Sequence, residues 1–244
     1  MIRRPAVLFA AFFLFSASAP SVFSQDGFSG NRVTPKRPAP VSPADVKKQV
    51  TDLYERGNRL LDAHRYAEAE RSFLDALKIT PDLAALHHGL GLVYMQTQDY
   101  ELAVLHLQEA LRLEPDRAKT LYVLSKAYAA VGDDAKAKEG YLRVIQLDPM
   151  MEVAHQDLAG IFYRAKKWDE ALASLERAKA VNPRSPHTLT LMGVTGIHAG
   201  RQDVALDAVT ELRHNGNQDE ARRLEYLIYS AGQEAVSAAA AKKK

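Results

Sequence analysis

The sequence predicts an all-α protein assembled from repeated helix pairs, and two observations carry that prediction. A helical stretch runs into a proline four times, at Pro81, Pro115, Pro149 and Pro183, and each number exceeds the one before it by 34. Between the prolines, apolar residues recur at steps of three and four, as on one face of an α-helix. A fixed period of this length is typical of a solenoid, in which each unit packs on its neighbours.

Small residues keep the same period and indicate where two helices must approach closely. One series is Ala69, Ala103, Ala137, Ala171 and Ala205, and a second is Ala76, Ala110, Val144 and Ala178. Bulky residues fill the space between the helices at Phe73, Leu107, Tyr141, Leu175 and Val209. The first helix of each unit adds a small contact residue at Gly57, Gly91, Ser125, Ala159 and Gly193. The units are therefore expected to be structurally equivalent.

This pattern resembles the tetratricopeptide repeat family over about residues 48–217. The resemblance implies a right-handed superhelical solenoid of about five helix-turn-helix units, at about 50–83, 84–117, 118–151, 152–185 and 186–217. The family's aromatic residue in the turn is present as Tyr66, Tyr100 and Trp168 and is replaced by Asp134 and Gln202. The fifth unit departs further, because Gly196 replaces a large residue and Asn217 replaces the proline. We expect looser packing in that unit.

The first 24 residues have the three parts of an export signal. Arg3 and Arg4 form a basic start, Val7 to Phe15 is an unbroken apolar run, and small residues precede Gln25. The alternative is a retained N-terminal membrane anchor, but the apolar run is short for the ~20 residues that a spanning helix needs. We expect an exported protein of a bacterial periplasm or cell exterior, without membrane insertion once the signal is removed.

The segments that flank the repeats are predicted from composition and helix signals. Residues 25–42 are proline-rich and lack apolar periodicity, which favours an extended linker over a proline-motif ligand. Ser42, Pro43 and Asp45 form a helix start with a capping-box-like pattern, so the repeat region begins at residue 43 and runs to 217. Residues 218–237 are predicted to form an amphipathic helix that caps the last unit. Residues 238–244 form a lysine-terminated tail that is expected to fray past about Ser237.

Composition and charge restrict the chemistry of the chain. The sequence has no cysteine, which excludes disulfides, thiolate metal sites and a lipid-modified N-terminal cysteine. Of the 32 basic residues, Arg3 and Arg4 belong to the predicted signal, which leaves 30 against 30 acidic residues. Six of these bases but only one acid, Asp26, lie in the flanking segments, so the repeats carry a net charge of about −5. Nucleic acid is therefore not the expected partner, since it requires a basic face.

No constellation of residues indicates catalysis or metal binding. His87 and His88 are adjacent and so lie on different faces of their helix. The remaining histidines, which are expected to lie in different units or at different depths, are His64, His106, His155, His187, His198 and His214. The sequence also lacks a glycine-rich phosphate loop and a serine in a strand-turn-helix elbow. We expect no enzyme activity, no cofactor and no metal.

The resemblance implies that the first helix of each unit lines a concave groove. With steps of 34, the groove residues are Tyr54, Asn58, Leu61, His88, Leu92, Met95, Tyr122, Lys126, Ala129, Gln156, Tyr163, Thr190, Val194 and Ile197. Such a mixture of apolar and amide groups suits an extended or helical peptide. The alternative is that individual side chains pack against neighbouring units or are ordinary surface.

One subgroup of the family binds chaperone C-terminal carboxylates with a clamp of lysine, asparagine and arginine. Only Asn58 and Lys119 match that clamp, whereas Tyr54, Gly89 and Val123 stand where it needs polar or basic side chains. We therefore expect no such clamp. The predicted function is an exported, non-catalytic scaffold of cell-envelope assembly that binds a protein or peptide segment in its groove. The alternative is a structural subunit that self-associates, or joins an envelope complex, through its convex face or its fifth unit. The oligomeric state is left open.

Overall fold

The structure is a computed structural model that describes residues 42–241, with side chains described up to residue 234. The predicted signal peptide at 1–24, almost all of the linker and the three terminal lysines lie outside the described residues. The described residues belong to a single compact unit of the chain.

Eleven α-helices follow one another within residues 42–241, and this part of the chain contains no strand. They are α1 (Pro43–Asp62), α2 (Tyr66–Ile79), α3 (Ala84–Thr97), α4 (Tyr100–Leu113), α5 (Ala118–Ala130), α6 (Asp134–Leu147), α7 (Glu152–Arg164), α8 (Trp168–Val181), α9 (Pro186–His198), α10 (Gln202–His214) and α11 (Gln218–Ala241). The first ten form five successive pairs, each packed on the next, and α11 stands alone after them. The predicted all-α solenoid is confirmed.

The start of α1 follows the predicted helix signal. Ser42 Oγ accepts a hydrogen bond from the Asp45 N–H at 3.1 Å, and the Ser42 hydroxyl donates to Asp45 Oδ2 at 2.7 Å. Pro43 occupies the first turn, where its missing N–H leaves no helical hydrogen bond unmade. The cap therefore fixes the start of α1 at Pro43.

Each helix pair turns through one residue in the left-handed conformation. These residues are His64, Gln98, Gly132, Lys166 and Gly200, which have φ values between 57° and 85° and are spaced by 34. The next residue donates its N–H to a carbonyl five positions back, as from Asp99 to Tyr94 at 2.9 Å and from Lys167 to Phe162 at 2.9 Å. The five pairs consequently share one turn geometry.

The core has the close contacts that the small-residue series predicts. Ala69, Ala103, Ala137, Ala171 and Ala205 are all fully buried. Phe73 is also fully buried and fits against two glycines of neighbouring first helices. A Cβ would lie 2.5 Å from the Phe73 ring at Gly57 and 2.7 Å from it at Gly89. The absence of a side chain at these two positions is therefore a packing requirement.

The fifth pair does not pack loosely at Gly196, so that expectation was wrong. Gly196 is buried, and its carbonyl accepts a hydrogen bond from the Arg201 N–H at 2.8 Å. A Cβ there would lie 3.0 Å from the Arg201 carbonyl oxygen and 3.2 Å from the Ala205 nitrogen. The backbone of α10 thus occupies the space that a large side chain fills in the other pairs.

The C-terminal helix packs on the last pair and extends further than expected. Leu224 is 1% exposed and belongs to a core cluster with Leu189, Val209 and Leu212. The helix continues to Ala241 instead of ending near Ser237, because alanine has the highest intrinsic helix propensity. No helix within residues 42–241 has both the length and the hydropathy that crossing a membrane requires.

Candidate functional site

The predicted groove residues all lie on the first helices α1, α3, α5, α7 and α9, but their side chains are not equally accessible. Lys126 is exposed and Gln156 is buried. The half-buried members are Tyr54, Asn58, Leu61, His88, Leu92, Met95, Tyr122, Ala129, Tyr163, Thr190, Val194 and Ile197. Most of the set can therefore present part of its surface to a ligand.

Gln156 does not line an open groove and is a correction to the predicted set. Its side chain is 8% exposed, and its Nε2 donates to Glu152 Oε1 at 2.7 Å and to Thr188 Oγ1 at 2.8 Å. The Thr188 hydroxyl donates in turn to Glu152 Oε1 at 2.7 Å. Gln156 therefore ties α7 to α9. Thr188, a polar residue on the buried face of α9, is the signal that could have revealed this contact.

His88, two repeat units earlier in the chain, has the same kind of partner. Its Nδ1 lies 3.0 Å from the hydroxyl oxygen of Thr120, which is fully buried on α5. Burial, together with the nearby Arg117, lowers the pKa of His88 from 6.5 to about 4. His88 is therefore a neutral side chain that joins two first helices at physiological pH.

The two tyrosines at this repeat position pack inward. The rings of Tyr54 and Phe73 and those of Tyr122 and Tyr141 have centroids 6.1 Å apart and interplanar angles of 53° in both pairs. The Tyr122 hydroxyl donates to Asp157 Oδ2 at 2.8 Å. Burial, reinforced by the Asp157 carboxylate, raises the pKa of Tyr122. Asp157 is a polar groove residue that the sequence pattern did not identify.

A cavity of about 480 Å³ lies between α3 and α5. Its lining residues are Leu92, Met95, Gln96, Tyr100, Tyr122, Val123, Lys126 and Ala130. Four of these belong to the predicted groove, namely Leu92, Met95, Tyr122 and Lys126. The Lys126 Nζ lies 5.7 Å from the centre of the Tyr122 ring. The fold thus brings predicted residues of two units together around one concavity.

A second, polar cavity of about 180 Å³ lies between α5 and α7. It is lined by Lys126, Ala129, Tyr141, Asp157, Gly160, Ile161 and Arg164. The Arg164 guanidinium is already paired with the Asp134 carboxylate of α6. Lys126 takes part in no ion pair among the described residues, and the Asp157 carboxylate accepts the Tyr122 hydroxyl and interacts electrostatically with Arg164.

A third cavity, of about 210 Å³, lies between α7 and α9 and is almost entirely apolar. It is lined by Ala159, Gly160, Tyr163, Leu175, Leu191, Val194 and Thr195. Tyr163 and Val194 belong to the predicted groove. The Tyr163 ring also contacts Trp168 and His198, with centroids 5.1 Å and 5.4 Å away. Gly160 is shared with the polar cavity, so the two cavities adjoin at this residue.

His87 of α3 and His106 of α4 lie close together. His87 Nδ1 and His106 Nδ1 are 3.2 Å apart, and the His87 Nε2 lies 3.1 Å from the Pro81 carbonyl oxygen. Burial lowers the pKa of His106, as does the neighbouring His87. Across residues 42–241, no group of three or more histidine, aspartate or glutamate residues is placed to hold a metal ion.

Comparisons with known proteins agree with the repeat architecture. The tetratricopeptide repeat family model matches twice, at residues 54–118 and 88–152. Anaphase-promoting complex subunit 3 of Schizosaccharomyces pombe is 26% identical over 145 residues, which is 59% of this chain and 22% of that protein. The chain thus spans about a fifth of the length of that relative.

Solved structures resemble the fold. The crystal structure of MamA protein has a TM-score of 0.64 at 19% identity, covering 70% of this chain and 94% of MamA. The structure of YrrB, described as a TPR protein with an unusual peptide-binding site, has a TM-score of 0.61 at 17% identity. It covers 74% of this chain and 97% of YrrB. At these identities the likeness concerns the fold alone.

Proposed function

Because the chain is a tetratricopeptide repeat protein, we propose that it is a non-catalytic scaffold that binds an extended segment of a partner protein along its first helices. The cavity between α3 and α5 carries this proposal. Two apolar residues of α3, Leu92 and Met95, face Tyr122 and Lys126 of α5 across it. Apolar concavities with a few polar groups are the usual form of a binding site. YrrB, whose fold is similar, is described as having a peptide-binding site.

We further propose that the scaffold acts after export, in assembly of the cell envelope. The signal-like sequence of residues 1–24 supports this placement.

A crosslinking pull-down with the full chain from the envelope of the source cells tests the groove. The double variant Leu92→Glu with Met95→Glu introduces two negative charges into the α3–α5 cavity. We expect loss of the crosslinked partner, because the apolar contact is removed and a desolvated carboxylate is introduced. Far-ultraviolet circular dichroism and the unfolding temperature are measured in parallel.

Leu105→Glu is the matched control, since Leu105 lies on the second helix α4 and is 59% exposed. This variant should capture the partner as the original chain does. Equal capture by the groove variant, in its folded state, would contradict the proposed function.

A second candidate function, self-association, is favoured by one observation. Tyr226, Leu227 and Tyr229 of α11 are 71%, 43% and 67% exposed, which places three large apolar side chains on the surface within four residues. Contiguous exposed apolar surface often marks an interaction site. Sedimentation equilibrium of the full chain would show dimers that Tyr226→Ser with Tyr229→Ser abolishes. A monomer at high concentration would exclude this candidate.

A further inference from the structure

Gly160 interrupts the interior of α7 without a structural reason. Glycine weakens a helix interior relative to alanine, because its backbone loses more freedom on folding. The helical glycines of α1, α3, α6 and α9 are required, since a Cβ on any of them would lie 3.0 Å or less from a neighbouring atom. At Gly160 the φ angle is negative, and no described neighbouring atom lies within 4 Å of the Cβ position. Packing does not explain this glycine.

Its location does suggest a role. Gly160 lines both the apolar cavity between α7 and α9 and the polar cavity between α5 and α7. The equivalent residues of the other units carry side chains, and they are Asn58, Leu92, Lys126 and Val194. A side chain at position 160 would occupy the space where the two cavities meet. The missing side chain is what keeps that space open.

The apolar cavity is held open at both ends by contacts between α7 and its neighbours. At the N-terminal end, Gln156 and Thr188 join α7 to α9 through a buried hydrogen bond of 2.8 Å. At the C-terminal end, the rings of Tyr163, Trp168 and His198 contact one another with centroids between 5.1 Å and 5.6 Å apart. The cavity is therefore preformed, as ligand pockets usually are.

We propose that the Gly160 cavity is a specificity site that takes one bulky apolar side chain of a bound protein segment, with the adjoining main-chain amide between Lys126 and Asp157. This inference rests on the proposed peptide-binding function and names the chemistry of its ligand. A dry, apolar cavity of about 150 Å³ suffices to bind benzene. The cavity of about 210 Å³ can therefore hold a leucine, methionine or phenylalanine side chain.

Charge complementarity identifies the group that lies beside that side chain. Within the described residues, neither Lys126 nor Asp157 takes part in an ion pair, although both line the polar cavity. A cation and a carboxylate on opposite sides of one cavity complement a neutral group that both donates and accepts. A main-chain amide is such a group, with its N–H directed to Asp157 and its carbonyl oxygen to Lys126. A ligand group with a net charge would be repelled either by the Lys126 ammonium or by the Asp157 carboxylate.

Two glycine variants form a matched pair for the test. Gly160→Leu fills the junction of the cavities, whereas Gly232→Leu adds the same side chain to α11, where Gly232 also has no neighbouring atom within 4 Å of its Cβ position. Leucine is a better helix former than glycine, so neither variant should unfold at a lower temperature than the original chain. A loss of binding in Gly160→Leu would then report the filled space.

The probe is a phage-displayed library of random twelve-residue peptides, selected on the purified full chain. We expect enriched peptides to share one bulky apolar residue and to lose at least tenfold in affinity for Gly160→Leu. Their affinity for Gly232→Leu should be unchanged. Asp157→Asn should also weaken the same peptides, because the amide loses its charged acceptor.

Several results would overturn the inference. If the enriched peptides bind Gly160→Leu normally but fail on Leu92→Glu with Met95→Glu, the cavity assignment is wrong and the groove function stands. If they bind all of these variants normally, both proposals fail. Selection of no peptide that depends on Gly160 also contradicts the inference. Self-association that Gly160→Leu abolishes would assign the cavity to a second copy of the chain and contradict the partner proposed here.

Discussion

At one repeat position, single residues perform two different tasks in alternate units. In the first and third units Tyr54 and Tyr122 pack on their own second helices, whereas in the second and fourth units His88 and Gln156 contact hydroxyls of the next first helix. Spacing placed all four residues on one stripe. The spacing could not predict which residues pack on the second helix and which bond to the next first helix, because the direction of each side chain depends on the partner that the adjacent helix offers.

Removal of the Thr188 hydroxyl should destabilise the protein. Thr188→Val removes one hydrogen bond from buried Gln156 and one from half-buried Glu152, which should lower the free energy of unfolding by about 1–3 kcal/mol. Urea denaturation measures the change. Thr190→Val on the same helix is the control, because Thr190 is half-buried and should change the free energy by about 0.5 kcal/mol or less. Equal effects of the two variants would contradict the role assigned to the buried network.

His88 should remain neutral well below pH 6.5. Its pKa of about 4 in the folded protein lies below its ordinary value of 6.5, so the unfolded chain binds more protons between these two values. The contribution of His88 to stability should therefore fall as pH is lowered from 6.5 towards 4. A histidine titration followed by nuclear magnetic resonance gives the pKa directly. A midpoint near 6.5 would refute the burial argument.

At the scale of helices and turns, much of the fold could be predicted from the sequence. The prolines mark the ends of second helices, and each one directly follows the C-cap residue of its helix. The N–H of that cap residue still donates to a helix carbonyl, as at Thr80 and Asp148. A proline, which has no N–H, is therefore tolerated only at the next position. The fifth pair ends differently. Gly216 adopts φ 87°, and the Asn217 N–H donates to the Leu212 carbonyl at 2.8 Å. Proline has no N–H for this bond, which accounts for the missing proline at 217.

The left-handed turn residues give a test of this element geometry. Lys166 adopts φ 57°, which is unfavourable for a residue with a Cβ. Lys166→Gly should therefore raise the free energy of unfolding by about 0.5–1 kcal/mol. Gly132→Ala, at the equivalent turn with φ 85°, should lower it by a similar amount. Thermal denaturation compares the two, and a destabilised Lys166→Gly variant would contradict the assignment.

The contact of α11 with the last pair is testable by truncating one side chain. Leu224 is 1% exposed, and one of its methyl carbons would lie 2.3 Å from a Cβ at Gly193. Leu224→Ala should cost about 2–4 kcal/mol, because it leaves a cavity under the helix. Leu227→Ala on the same helix should be nearly neutral, since Leu227 is 43% exposed. Similar losses in both variants would mean that α11 does not cap the solenoid in this way.

On the scale of the whole molecule, the first helices of the equivalent units form one surface, but the cavities on that surface differ from one pair of units to the next. The period of 34 predicted which residues share that surface. The cavities could not be predicted, because each one forms where side chains from two or three helices fail to fill the space between them. Gly160 is an example. In the sequence it is only a position of the predicted groove that lacks a side chain, whereas in the fold it lies where two cavities meet.

Site-specific photocrosslinking in the source cells tests most directly whether this surface binds a partner. A photoreactive amino acid is placed at Met95, in the α3–α5 cavity, or at Leu105, on the second helix of the same unit. We predict a discrete crosslinked product from position 95 and none from position 105. A product that forms from position 105 and not from position 95 would contradict the central claim that the first helices form the binding surface.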